Sequence, residues 1–298
     1  MKLKTYCTLI IFILFNCHSI LTIRLRGVTL EVIPYVYVRN NEFHGYCVDV
    51  MNEISKIAGF NYSLYVVPDG HHGSVSPVGA INGIIGEIFN KAADFGLADL
   101  TTSDNRKRYV DFSRPIMNLS VSALIHTTNA ERVDRFRDLS KQTRIMYGTV
   151  RSGRLRDKFA DARDSYFKKM YDVMKVHNTF VANASAGIRL AKIDTFAYIS
   201  ESANNEFIAA NDCDLVSIKS YSDYFKLNYA IALPKGSPYL SKINYAIQVL
   251  ETEGLFNKLK AKYWRTQCNL STGSYYLSVQ TNVLLFIMIL LSLIYSKH

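Results

Sequence analysis

Despite a formal net charge of +10 over 298 residues, the sequence has no long basic block: its lysines and arginines are scattered among aspartates and glutamates, as in residues 131–144. Dispersed charge of this kind reads as solubility rather than as a footprint for nucleic acid or acidic lipid. Metal-ligand spacing is missing as well. His71 and His72 are adjacent on an irregular stretch and no third ligand is spaced to join them, so neither a metal nor any other cofactor is expected. No Ser, His and Asp set and no pair of carboxylates is assembled by a motif, which argues against an enzyme.

Cysteine is scarce, and two of the five, Cys7 and Cys17, fall in the first 19 residues. That segment carries Lys2 and Lys4, an apolar run at 8–15 and the small residues around Ser19, the pattern of a cleaved secretory signal. Its apolar run is far shorter than the roughly 20 residues that span a bilayer. Removing the two lysines lowers the charge to +8. Of the three remaining cysteines, Cys47 lies at helical spacing with Met51, Ile54 and Ala58 and reads as a buried thiol, which leaves Cys213 and Cys268. The sequons at Asn61, Asn118, Asn183 and Asn269 fit a secreted, glycosylated surface and put nucleic acid out of reach.

What is present is an alternation of strands and amphipathic helices. Residues 28–38 open as a strand, 47–58 repeat apolar residues as a helix ended by Gly59, and 62–67 form the next strand. The turn Pro68-Asp69-Gly70 follows, and residues 81–91 form a second amphipathic helix. The same alternation returns with a strand at 145–150, a helix begun at Ser152-Gly153, another from Asn183 to Lys192, and a strand at 195–200 that delivers Glu201. Helices at 240–250 and 255–263, broken at Glu253-Gly254, close the pattern, with Trp264 packed near their end. Such alternation predicts an α/β chain with a mostly parallel sheet flanked by helices.

Residues 98–115, ADLTTSDNRKRYVDFSRP, stand out. A buried strand end at 95–98 leads into Thr101, Thr102, Ser103 and Asp104, which offer N-caps for a short helix carrying Arg106. A guanidinium beside free helical amides attracts a carboxylate. From local sequence alone, a solvated basic helix, Arg106-Lys107-Arg108, is an equal reading.

Together with GYCVDV (45–50), INGIIGEI (81–88), DLSKQTRIMYGT (138–149) and ALPKGSP (232–238), that stretch resembles the ligand-binding domain of ionotropic glutamate receptors over roughly residues 28–268. The resemblance implies a two-lobed, periplasmic-binding-protein-like type II (Venus-flytrap) fold with an interlobe cleft. Lobe 1 would comprise residues 24–117 plus 229–268, and lobe 2 residues 118–228. It also implies the Cys213–Cys268 disulfide. In the family an arginine grips the ligand's α-carboxylate, and it aligns with Arg106. The groups that hold the α-ammonium align with Asp99, Thr101 and Glu201, and a pocket tyrosine aligns with Tyr229. For Glu201 a helix-capping carboxylate is the plain alternative.

Four departures rebuild the rest of the pocket. The family's proline is Asp99, its tyrosine lid is His72, and the Ser-Thr pair that holds a distal carboxylate is Arg154-Leu155. The residues that latch the lobes fall near Val32 and Ala184, which cannot serve. Gly153 to Leu155 still opens a helix, and Arg154 adds positive charge, which favours an acidic amino acid; a Leu155 lining with Arg154 in solvent would favour an apolar one. The membrane segments that interrupt the domain in the family are replaced by residues 127–137, TTNAERVDRFR, which are short and charged. The expected function is an extracellular amino-acid-binding module without a pore of its own. A fragment or variant of a full channel subunit is the alternative reading, and an enzyme on the same fold is a weaker one. Residues 269–298 form a linker and hydrophobic tail expected to hold the protein to the membrane, as a GPI signal or a single span. Receptor subunits of the same family are candidate partners.

Overall fold

The computed structural model describes residues 23–74, 79–130, 132–133, 135–152, 154–163, 165–193 and 195–268. The signal segment, Gly153, Asn269 and the hydrophobic tail lie outside the described residues.

The first sheet has five strands in the order β4 (Asn61–Val66), β1 (Arg24–Thr29), β5 (Phe95–Leu97), β11 (Leu227–Pro234) and β6 (Val110–Leu119). The second has four: β10 (Leu215–Lys219), β7 (Val121–His126), β9 (Phe196–Glu201) and β8 (Met146–Gly148). Side chains alternate across each strand, so each sheet buries a core on both faces. In the second sheet Val121, Ala123 and Ile125 enter one cluster with Ala197 and Ile199, while Leu124 joins Phe196 and Tyr198 in the other. Leu25, Phe95, Leu97, Ile231 and Leu233 face one side of the first sheet, and Val28, Ala98 and Ala232 the other. Two sheets with separate cores make two lobes.

The sheets are mixed rather than mostly parallel. β1 runs parallel to β4 and β5, and β8 to β9, but β11 is antiparallel to β5 and β6, and β7 to β9 and β10. The cause is the route of the chain. β6 leaves the first sheet and leads through Ser120 into β7; β11 brings the chain back beside β6, so the outgoing and returning strands oppose one another. Asn118 and Asn228 are register partners at that crossing. The register slips near Tyr229 and Ala230, and Ser113 Oγ accepts the Ile231 amide at 3.0 Å, satisfying a backbone group that the irregularity would strand.

Helix α1 (Tyr46–Ala58) buries Cys47, Val50, Met51 and Ile54 on one face and ends at Gly59, whose φ of 73° is the left-handed C-cap that glycine takes without a Cβ clash. The opening strand ends at Thr29, not near residue 38, because residues 32–36 turn back through a Val32–Val36 bridge. Tyr37–Arg39 (β2) then pairs with Glu42–His44 (β3) across Asn40 and Asn41, both at positive φ. Helix α2 (Gly83–Phe89) is shorter than its sequence pattern. Beyond a single-turn α3 (Asp104–Lys107) come α4 (Arg154–Ala160), α5 (Ser165–Val176), α6 (Ala184–Ala191), α7 (Ser202–Asn211), α8 (Leu240–Thr252) and α9 (Leu255–Tyr263).

Beyond α9, the Trp264 indole donates to the Ala203 carbonyl at 2.7 Å, and the Gln267 amide donates to the Ala210 carbonyl at 2.8 Å. Cys213 is bonded to Cys268 across 55 residues, with Cα atoms 5.4 Å apart, while Cys47 is free and buried. The end of the first lobe is thereby stitched to α7 and the start of β10.

Candidate functional site: a charged cleft between the lobes

The loop after β5 is laid against the returning strand. Thr101 forms a bridge with Tyr229, the Thr102 amide donates to the Asn228 carbonyl at 3.0 Å, and the Ala230 amide donates to the Leu100 carbonyl at 3.2 Å. Of the four candidate caps, Ser103 is the one used. Its hydroxyl accepts the Arg106 amide at 3.3 Å, so that amide is engaged within α3 rather than free for a ligand.

The Arg106 side chain turns off that helical turn and is held by backbone. Nε and Nη2 donate to the Gly73 carbonyl at 3.2 and 3.0 Å, and Nη1 donates to the Thr101 carbonyl at 2.8 Å. The solvated-helix reading therefore fails for Arg106, while its neighbours Lys107 and Arg108 are exposed. Gly73 sits at φ 110°, and a Cβ there would approach the Asn82 carbonyl oxygen to 2.7 Å, so the seat for the guanidinium requires glycine. Burial first, and then the nearby Arg154, pull the Arg106 pKa down to about 10, against Glu201 and Asp99. It remains charged at neutral pH.

Glu201 ends β9 and precedes α7, but its side chain does not cap that helix. Instead Oε2 accepts the Tyr229 hydroxyl at 2.5 Å, and Oε1 accepts Arg154 Nη2 at 3.1 Å and the Thr101 hydroxyl at 3.3 Å. Tyr229 is buried, and desolvation, then the Glu201 charge, raise its pKa well above the ordinary value, so it stays a donor. Arg154 Nη1 also donates to the Thr102 carbonyl at 2.6 Å, which carries its guanidinium from the second lobe to the first. The alternative in which Arg154 points to solvent is thus corrected: its side chain is only 31% exposed, and Glu201's 17%.

These residues border a cleft of about 740 Å³ lined by Thr101, Arg106, Arg154, Leu155 and Glu201, with Asn204 beside them. Leu155 packs against the cores of both lobes. Tyr229, His72 and Asp99 stand behind the lining. His72 Nε2 meets Asp99 Oδ1 at 2.6 Å, whereas His71 turns onto the Asp69 carbonyl of its own loop. The adjacent histidines therefore face different partners. Asp99 presents its carboxylate to His72 rather than to the cleft.

Sequence reasoning missed the carbonyls of Gly73 and Thr102, since a backbone acceptor leaves no residue-type signal. It also missed the contact of the Tyr35 hydroxyl with Asn204 Oδ1 at 2.7 Å, which joins the lobes where the family's latch residues do not: Val32 is engaged in its local bridge and Ala184 begins α6.

Residues 23–129 match the family model described as the ligated ion channel L-glutamate- and glycine-binding site. The human kainate 1 ionotropic glutamate receptor is 24% identical over 360 aligned positions, covering 78% of this chain and 39% of the relative. The human delta-2 ionotropic glutamate receptor is 25% identical over 376 positions, covering 83% of this chain and 37% of the relative. The chain thus spans about two fifths of the length of the curated relatives it matches. In the first comparison, 78% of 298 residues is about 232, so about 130 of the 360 aligned positions have no counterpart here. A two-lobed α/β domain built in this way, with these matches, is similar to the ligand-binding domain of ionotropic glutamate receptors.

Proposed function

We propose that the chain binds an α-amino acid of the glutamate type in the interlobe cleft. The observation that carries this reading is the Arg106 guanidinium, held by two backbone carbonyls beside a partly buried carboxylate. Arginine has five N–H donors. Three are used on Gly73 and Thr101, leaving one on each terminal nitrogen among the described contacts, the pair that a carboxylate takes as a fork. Glu201 supplies the anion for the α-ammonium, with Thr101 beside it, and Tyr229 holds its far oxygen. Asp99 and His72 support the wall behind, and Leu155 and Arg154 border the side-chain end.

The division proposed is lobe 1 at residues 24–117 plus 229–268 and lobe 2 at 118–228, closing by flexure of the paired crossing strands β6 and β11. Asn61, Asn118 and Asn183 are exposed and are proposed to carry glycans. The protein is proposed to act outside the cell, bound to the membrane through residues 269–298, as a sensor or as a partner of receptor subunits. Catalysis is not part of this reading, because Asp99 is committed to His72 and Glu201 to Tyr229 and Arg154.

A calorimetric screen of purified protein tests the proposal. An α-amino acid binds with defined stoichiometry, while analogues lacking the α-carboxylate or the ammonium bind far more weakly. Turnover of the bound amino acid, or indifference to both groups, contradicts it.

A further inference from the structure

The carboxylate proposed to receive the ligand's ammonium is paired with a cation of this chain. Arg154 Nη2 lies 3.1 Å from Glu201 Oε1, the same oxygen that accepts the Thr101 hydroxyl, while Oε2 is taken by Tyr229. Resting on the amino-acid reading above, we propose that Arg154 is a specificity-determining residue that works by ion-pair exchange: the ligand's ammonium displaces its guanidinium from Glu201, and the ligand's own side-chain carboxylate re-pairs it.

The charge count drives the selection. Glutamate or aspartate brings two anions and one cation; Arg106 takes one carboxylate, Glu201 takes the ammonium, and the freed Arg154 takes the other carboxylate. A neutral amino acid expels Arg154 from Glu201 and offers it nothing in return. A cation that is only 31% exposed and beside Arg106 then keeps the Thr102 carbonyl but has no anion to pair with, a costly state. Its neighbours do not relieve it cheaply. Lys158, on the next turn of α4, is a further cation whose pKa is lowered by burial and then by Arg154 itself. Asp157 already faces Arg156 at 3.1 Å and Asp104 faces Lys107 at 3.4 Å, which leaves Asp161 as the competing acid on the cleft wall. A merely attractive Arg154 and an exchanging one make different predictions for ligands that carry no side-chain charge. Removing an attractive charge leaves such ligands unaffected, whereas removing a resident competitor tightens them.

The test is calorimetry of glutamate, alanine and glutarate on the full chain and on its Arg154→Ala and Arg154→Gln variants, with thermal melts to verify folding. Exchange predicts that the unaltered protein prefers glutamate to alanine by about 30-fold or more, the scale of an unpaired, partly buried charge. Both variants narrow that preference to within about threefold, with alanine gaining affinity in absolute terms. Glutarate, which has no ammonium to displace Arg154, binds the unaltered protein much more weakly than glutamate. Alanine affinity unchanged in the variants while glutamate weakens would overturn the exchange and leave the amino-acid site standing. So would alanine matching glutamate in the unaltered protein, the sign that Asp161 re-pairs Arg154, or glutarate matching glutamate. Failure of the folded, unaltered protein to bind glutamate or alanine would overturn the exchange together with the reading on which it rests.

Discussion

Tyr229 illustrates how one hydroxyl can set the direction of a binding carboxylate. Its ring packs edge-on against Tyr35, with centroids 5.4 Å apart, so the aromatic body is fixed by the first lobe's core while the hydroxyl reaches Glu201. Replacing it with phenylalanine keeps the packing and removes the donor. Because hydrogen bonds to charged groups are worth about 1.5–3 kcal/mol, the variant should lose about that much stability, and glutamate affinity should fall about tenfold as Glu201 loses its orientation. Unchanged affinity would mean that Glu201 is oriented by Thr101 and Arg154 alone. At this scale the sequence was informative about identities and silent about partners. Arg106 and Glu201 were legible through their motif positions, but the pairing of Arg154 with Glu201 joins residues 47 apart, and the seat on Gly73 is a carbonyl.

The crossing element is held by a second carboxylate. Asp111 on β6 accepts the Gly236 amide and the Lys235 ammonium, both at 2.9 Å, clipping β6 to the turn after β11. The Gly236 bond first, and then Lys235, hold its pKa below the ordinary carboxylate value. A depressed carboxylate contributes stability that is present above its unfolded pKa of roughly 4 and is lost as pH falls through the lower folded value. Asp111→Ala should therefore lower stability by about 1 kcal/mol at pH 7, discounted for partial exposure, and the gap should shrink near pH 3. Thermal melts at the two pH values measure it; a gap that persists in acid would assign the loss to packing. Among elements, periodicity revealed α1 because Cys47, Met51 and Ile54 repeat on one face. It also carried α5, whose Phe167, Met170 and Met174 recur three and four apart and are fully buried, although that signal was not read. The β2–β3 hairpin was hidden because its strands are three residues long and largely exposed, leaving only the Asn40-Asn41 turn as a cue. Antiparallel pairing could not be read from alternation at all, since it follows from where the returning strand lands.

For the whole molecule, the disulfide closes the seam that Trp264 and Gln267 also hold by hydrogen bonds. A loop of 55 residues places its contribution at about 4 kcal/mol in the chain-entropy model. Replacing Cys213 and Cys268 with serine should cost about 2–4 kcal/mol in denaturant unfolding, and non-reducing peptide maps should link those two and never Cys47. A linked Cys47 peptide would contradict the pairing; burial, followed by the Asp99 charge, raises that thiol's pKa and disfavours the reactive thiolate. Among the described residues no helix is long and apolar enough to cross a membrane, and the sequence between β7 and β8 is short and charged. We propose that the chain expressed alone gives no amino-acid-gated current in voltage-clamp recordings; such a current would refute that expectation.

The central claim is that Arg106 receives the α-carboxylate of an amino acid, and the most direct measurement is a glutamate titration of the unaltered chain against Arg106→Ala. Loss of one partner of a charge-assisted fork in a partly desolvated cleft costs about 2–5 kcal/mol. The account predicts saturable binding by the unaltered protein and at least about a 30-fold loss in the folded variant. Equal affinities in the two would contradict it.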